Sequence, residues 1–349
     1  MTRRKFRVIQ WATGTVGTVA LRHFAENPNF ELVGVWVSGP DKDGKDAGTI
    51  AGITELGVIA TTDVEYLIGL DADCVHFAPA AQDIPLVCRL LRSGKNVVSP
   101  LGPHYRTERF RADWEAIDEA CKVGGTSFHG AGIHPGFAGD LLPLTMARVM
   151  DRIDHIHVYE VVDFVATPSN WIAYMGFGRA PEDVLANPSR PPEAPNFFAQ
   201  SMAMVLESLG CEIDDLTTTL NLTTATAAIP YPGGLLEPGT VAGQHYVWTA
   251  WSEGKARMTF HCFWVMGQEH LADKWDVGAS GYRVRFEGSP PLEVTVGRPS
   301  VAAGAGEYPG GRWTAMAGVN AIVAVCKARP GMVTHMELGL YGPPGLIRD

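Results

Sequence analysis

Gly14 and Gly17 stand three residues apart in Ala12-Thr13-Gly14-Thr15-Val16-Gly17, where an apolar run, Phe6–Ala12, gives way to a helical pattern, Thr15–Glu26. Glycines so spaced at a strand–helix junction let the chain turn tightly and bring backbone N–H groups against a phosphate. At Gly14 the missing side chain would let the backbone approach a pyrophosphate. At Gly17 it would let the helix pack close to the strand. The N-terminus of the helix adds further N–H groups and the positive end of its dipole. Thr13, Gly14, Thr15 and Val16 are therefore the candidate phosphate contacts. The pattern is G-x-G-x-x-G with Ala12 in the first place. A tight structural turn would use the same glycines; what favours a dinucleotide is the position of the motif at the first junction of a repeated β/α unit.

The choice of nucleotide falls to the end of the second apolar run, Phe30–Val37. An NAD site usually carries Asp or Glu there for the ribose hydroxyls. The residues present are Trp36-Val37-Ser38-Gly39-Pro40-Asp41-Lys42, with no carboxylate at the strand end. Ser38 can donate to a phosphate and Lys42 can neutralise one, which favours NADP. NAD stays possible, because Asp41 could reach the ribose if the loop folds back. Hydride transfer asks for a proton donor or acceptor as well. His104 and Tyr105 follow the run Asn96–Ser99 and can both move protons, while a surface-loop role is the plain alternative. His134, before Pro135-Gly136, can hold ribose or substrate by a hydrogen bond, or cap a helix.

These residues are useful only if a sheet presents them together. Short apolar runs alternate with helical patterns throughout the first part of the chain. The predicted strands are 6–12, 30–37, 73–78, 96–99 and 126–131, and the predicted helices 15–26, 63–70, 84–93 and 108–123. Such alternation means a doubly wound parallel sheet, the Rossmann arrangement, which binds ligands beyond the carboxyl ends of its strands. Those ends are Ala12–Gly14, Val37–Gly39, Ala78-Pro79, Ser99–Gly102 and Gly132–His134, which adds Ala78 and Pro79 to the cofactor candidates.

Beyond 136 the patterns change. A helix is expected over 140–150, a long strand over 153–164, an amphipathic helix over 196–209, and hairpins over 241–266 and 282–296. On one arm Met258, Phe260, Cys262, Trp264 and Met266 alternate with Arg257, Thr259, His261, Phe263 and Val265. This is a second, α+β domain with a largely antiparallel sheet. A last helix over 312–327 is expected to return to the first domain. The divisions are 1–135 for the dinucleotide-binding domain, 136–310 for the substrate and dimerisation domain, and 311–349 for the returning tail. Phe137, Trp171 and Tyr174 are the apolar substrate candidates. Glu160 and Asp163 could supply a carboxylate, but strand alternation sends them to opposite faces.

Composition limits the partners. The 349 residues carry 28 Lys+Arg against 38 Asp+Glu, a formal charge of −10, so nucleic acid and anionic membranes are poor partners. No apolar run reaches the roughly 18 residues of a membrane span. The start, Met1-Thr2-Arg3-Arg4-Lys5-Phe6, leads into a strand pattern with Gln10 rather than the core of a signal peptide, and a cytoplasmic protein is expected. The 6 cysteines make no C-x-x-C pair, so neither disulfides nor a metal site is expected. His155 and His157 alternate on the long strand without a partner set for a metal.

The Ala12–Gly17 loop, Phe77-Ala78-Pro79, Ser93-Gly94-Lys95-Asn96-Val97-Val98-Ser99 and Gly132-Ile133-His134-Pro135-Gly136-Phe137 occur in this order. Together they resemble the dihydrodipicolinate reductase-like proteins that include 2,4-diaminopentanoate dehydrogenase and the native amine dehydrogenases. The resemblance implies a Rossmann domain with a mixed α/β substrate domain that often dimerises. It also implies hydride transfer between a nicotinamide cofactor and an imine or amine carbon. The glutamate that the resemblance places after Asn96–Ser99 is missing: the loop reads Pro100-Leu101-Gly102-Pro103-His104-Tyr105, with no carboxylate before Glu108. The expected function is thus an NADP-dependent oxidoreductase, a homodimer acting on an apolar imine, amine or carbonyl compound. The alternative is a cofactor-binding redox sensor without turnover.

Overall fold

The computed structural model describes residues 4–167, 172, 175–187, 194–275, 277–297 and 310–347. The chain forms two compact units, Met1–Phe137 with Gly310–Asp349, and Ala138–Pro309.

The first unit is a parallel sheet with helices on both faces. In chain order it runs β1 (Phe6–Trp11), α1 (Thr15–Glu26), β2 (Phe30–Trp36), α2 (Ala47–Ala51), β3 (Ala60–Thr61) and α3 (Val64–Gly69). Then come β4 (Cys74–Phe77), α4 (Ile84–Arg92), β5 (Asn96–Ser99), α5 (Arg111–Gly124) and β6 (Ser127–Gly130). The late strand Gly331–Met332 pairs with β6, giving seven strands in the order Gly331–Met332, β6, β5, β4, β1, β2, β3. Every pairing is parallel. Alternate residues feed the two faces. Ile9, Trp11, Val75, Phe77 and Val97 pack under the α3–α5 side. Val8, Cys74 and Val98 pack with Ala20 and Phe24 of α1 and with Val319 and Ile322 of the helix Gly310–Val325. Local chemistry sets the helix starts: Asp63 accepts from Tyr66 N at 3.0 Å and Asp83 from Leu86 N at 3.0 Å, each capping a first turn. The strand order reverses between β4 and β1, so the end of β1 opens at the topological switch point.

The second unit is built on a six-stranded sheet. Its strands are β7 (Arg152–Asp163), β8 (Asp215–Thr224), β11 (Val241–Ser252), β12 (Lys255–Val265), β13 (Gly281–Ser289) and β14 (Leu292–Gly297), with β9 (Ile229–Tyr231) and β10 (Gly234–Leu236) forming a separate hairpin. The order is β14-β13-β7-β12-β11-β8, antiparallel except for the β7–β12 pair. The apolar row expected on β12 is the core: Met258, Phe260, Cys262, Trp264 and Met266 are at most 2% exposed. Phe198, Met202, Val205 and Leu206, on the helix Ala194–Ser208, cover that face. Each such side chain contributes about 1.5–3 kcal/mol on burial.

Most predicted elements appear within a few residues of their expected ends. The helix expected over 140–150 is shorter, Leu141–Ala147, and the last helix begins earlier, at Gly310. The elements not foreseen are short and include β3, the β9–β10 hairpin, the late strand Gly331–Met332, α2 and the helices Pro181–Ala186 and His335–Leu338. Two residues of strand carry no period to read. Among the described residues, no helix is long and apolar enough to cross a membrane.

Candidate functional site

The glycine-rich loop lies at the carboxyl end of β1 and leads into α1. Ala12 adopts φ +70°, the left-handed conformation that glycine takes freely. The two glycines that follow have different jobs. A Cβ built on Gly14 meets no atom within 4 Å, whereas one on Gly17 would lie 2.0 Å from the Ala12 carbonyl oxygen. Gly17 is therefore required by the protein's own packing, while the space at Gly14 is left open. Gly14 is also the N-cap of α1, and no side chain caps that helix. Its first turn carries no acidic residue, so the N–H groups and the positive dipole end face outward at exposed Gly14 and Thr15. Such an arrangement is able to receive an anion.

The neighbouring strand ends add polar groups. Lys42 Nζ donates to the Thr13 carbonyl oxygen at 3.1 Å and lies 3.2 Å from Thr13 Oγ1, so the lysine reaches back to the loop. Ser38 is exposed just past the end of β2. The turn that carries Lys42 also brings Asp41 back: a Cβ on Gly39 would lie 2.3 Å from Asp41 Oδ1. A cation and a carboxylate thus both stand near the end of β2. Trp11 and Trp36, the last residues of β1 and β2, stack at 5.2 Å. Ala78 and Pro79 are half-buried after β4, and Gln82 Nε2 donates to the Gly102 carbonyl, tying that segment to the loop after β5.

His104 does not sit on a surface loop. It is 3% exposed. Its ring lies against two glycines: a Cβ on Gly102 would lie 2.7 Å from His104 Cδ2, and one on Gly130 would lie 2.8 Å from His104 Nδ1. Tyr105 is half-buried, edge-on to Trp114 at 6.5 Å. His134 and Phe137 are half-buried in the turn after β6, where a Cβ on Gly136 would lie 2.2 Å from Gly132 N. Trp171 and Tyr174 lie outside the described residues.

In the second unit the two carboxylates of β7 part as alternation requires. Asp163 accepts from Gly267 N at 3.0 Å, Val165 N at 3.1 Å and Gln268 N at 3.3 Å, a turn-fixing role. Glu160 points to the apolar core side, 8% exposed, and accepts from Trp264 Nε1 at 2.8 Å. The opposite face of the sheet carries rings. His155 stacks on His157 at 4.1 Å, Tyr159 on His261 at 4.6 Å, and His245 on Phe263 at 3.8 Å. Burial lowers His155 and His245 to about 4 and His261 to about 3, so these imidazoles are neutral at neutral pH. Only fragments of this array were visible in sequence, because its rows come together through strand pairing: His261 sits opposite both Val247 and Tyr159.

The family model of the 2,4-diaminopentanoate dehydrogenase C-terminal domain matches residues 137–344. An amine dehydrogenase of Streptomyces virginiae is 28% identical over 361 aligned positions, covering 95% of this chain and 96% of that protein. The solved structure of an amine dehydrogenase from Mycobacterium smegmatis matches with a TM-score of 0.80 at 20% identity, over 98% of this chain and 99% of that one. GenD2 from gentamicin A biosynthesis, solved in complex with NAD, matches with a TM-score of 0.57 at 15% identity, over 97% and 91%. The two structural matches establish a shared fold.

Proposed function

Since the chain belongs to the 2,4-diaminopentanoate dehydrogenase C-terminal domain family, we propose that it is an NADP-dependent oxidoreductase of the amine dehydrogenase kind. Its substrates are apolar amines, imines or carbonyl compounds. The observation that carries this reading is the loop at the end of β1: an uncapped helix N-terminus with open space over Gly14. When bound, a nicotinamide dinucleotide supplies the hydride donor or acceptor. Thr13, Gly14, Thr15 and Val16 hold its diphosphate. Ser38 and Lys42 take the 2′-phosphate that distinguishes NADP, and Ala78, Pro79 and His134 hold the rest of the cofactor. Lys42, turned onto Thr13, supports NADP, while Asp41, brought back beside Gly39, is the group that would serve NAD. Phe137, Trp171 and Tyr174 are the apolar substrate contacts. His104 or Tyr105 moves the proton.

The reading is tested with NADPH, NADH and a panel of apolar ketones, with and without ammonium, by following the absorbance of the reduced nicotinamide. NADPH oxidation that requires ammonium is the expected result. Oxidation without ammonium would assign carbonyl reduction instead. Binding without turnover on any ketone would favour a redox sensor, a reading that draws on the carboxylate missing from Pro100–Tyr105.

A second copy of the chain is proposed to cover the ring-bearing face of the second sheet. Its histidines are neutral, half-buried and stacked, and Arg283 lies 4.2 Å over the Tyr159 ring. Such a surface gains by leaving water and can meet its own copy about a two-fold axis. Light scattering at micromolar concentration should give twice the chain mass; a monomeric mass would remove the proposal.

A further inference from the structure

The residue in the first place of the glycine-rich loop is Ala12, whose φ of +70° is disfavoured for any residue with a Cβ. Something must hold it there. Its N–H donates to the Trp36 carbonyl at 3.0 Å. Its carbonyl oxygen accepts from Gln10 Nε2 at 2.9 Å, and the same amide nitrogen donates to the Trp11 carbonyl at 3.1 Å. Gln10 is fully buried. With its NH₂ committed to two carbonyls, its Oε1 must accept, and it does so from His76 Nδ1 at 2.8 Å. The network therefore assigns His76 as the Nδ1–H tautomer. Its Nε2 is then a bare lone pair, and among the described residues it meets no hydrogen-bond partner. A Cβ on Gly318, in the helix Gly310–Val325, would lie 2.7 Å from that atom, so the ring fits because glycine stands there. Gly17 makes the matching space on the other side: its Cβ would lie 3.0 Å from Gln10 Nε2 as well as 2.0 Å from the Ala12 oxygen.

We propose that Gln10, oriented by His76, is a positioning residue of the cofactor site: it clamps the Ala12 carbonyl and so holds the loop 12–17 in its binding shape. Gln10 and His76 need not touch the cofactor, and the inference rests on the reading of that loop as the diphosphate cradle. Burial lowers His76 to about 4, in keeping with an imidazole that stays neutral and keeps one tautomer.

The test measures NADPH affinity by fluorescence titration, with the melting temperature of each variant recorded. Gln10→Met keeps the volume and removes both donors. The freed Ala12 leaves its left-handed conformation, and the Kd for NADPH should rise about tenfold. The same change in an Ala12→Gly background should cost clearly less, because glycine needs no clamp to hold that backbone. A merely structural role for Gln10 would lower the melting temperature equally in both backgrounds and leave Kd alone. Where Gln10→Met does not fold, His76→Phe decides: it keeps Gln10 but removes the group that orients it, and Kd should rise several-fold. A wild-type Kd in whichever of these variants folds, or an equal loss of affinity with and without the Ala12→Gly change, would overturn the proposal. Failure of the wild-type protein to bind NADPH or NADH would instead overturn the reading of the loop, so the two failures are told apart.

Discussion

Gly14→Val yields a folded protein that no longer binds NADPH. The expectation rests on the two sides of the loop. On the protein side, Gly14 has φ −72°, an ordinary backbone angle, and a Cβ there meets nothing within 4 Å. Valine can therefore be accommodated, and the melting temperature should move little. On the ligand side, a branched side chain fills the space through which the first turn of α1 would reach a diphosphate. Losing those N–H contacts should raise the Kd for NADPH at least about a hundredfold, roughly 2.7 kcal/mol. Fluorescence titration and thermal melting on the same sample check both halves. A wild-type Kd would end the dinucleotide reading. The contrast with Gly17 sharpens the point, because a side chain there collides with the Ala12 carbonyl and Gln10 before any ligand arrives.

That contrast also marks what a sequence can reveal. The motif announces two glycines, and strand–helix context says where they lie. It does not say which glycine serves the ligand and which the protein, since that depends on atoms brought in from 10 and 12. The alternation on β12 was legible because one strand carries it, and the buried row from Met258 to Met266 is the outcome. Gln10 and His76 were not legible as a pair. They are 66 residues apart and meet only because β1 and β4 are neighbours in the sheet, Gln10 opposite His76. A lone glutamine in an apolar strand, Phe-Arg-Val-Ile-Gln-Trp, is the one signal that was available: an amide buried there must find partners. Likewise Lys42 could be read as a cation near the second strand, but its reach to Thr13 belongs to the turn that carries it.

His104→Ala should lower turnover by about 10² to 10⁴-fold, the usual loss when a general acid or base is removed, with the Kd for NADPH nearly unchanged. The argument is one of position and chemistry. The loop after β5 lacks the carboxylate that the family resemblance places there, and His104 is the group in that loop whose imidazole can both take and give a proton. Its packing against Gly102 and Gly130 fixes the ring, as proton transfer to a defined atom requires. The same packing means that alanine leaves a cavity, so stability must be measured beside activity. His104→Asn, which refills part of the space without a group that titrates near neutral pH, separates the two effects. If the imidazole moves the proton, both variants lose turnover alike, and the pH–rate profile loses one limb in each. If the ring only fills space, His104→Asn recovers activity and keeps both limbs. Unchanged turnover in both variants would transfer the proton to Tyr105, which keeps a phenol in the same loop, to His134 or Tyr174, or to a water chain.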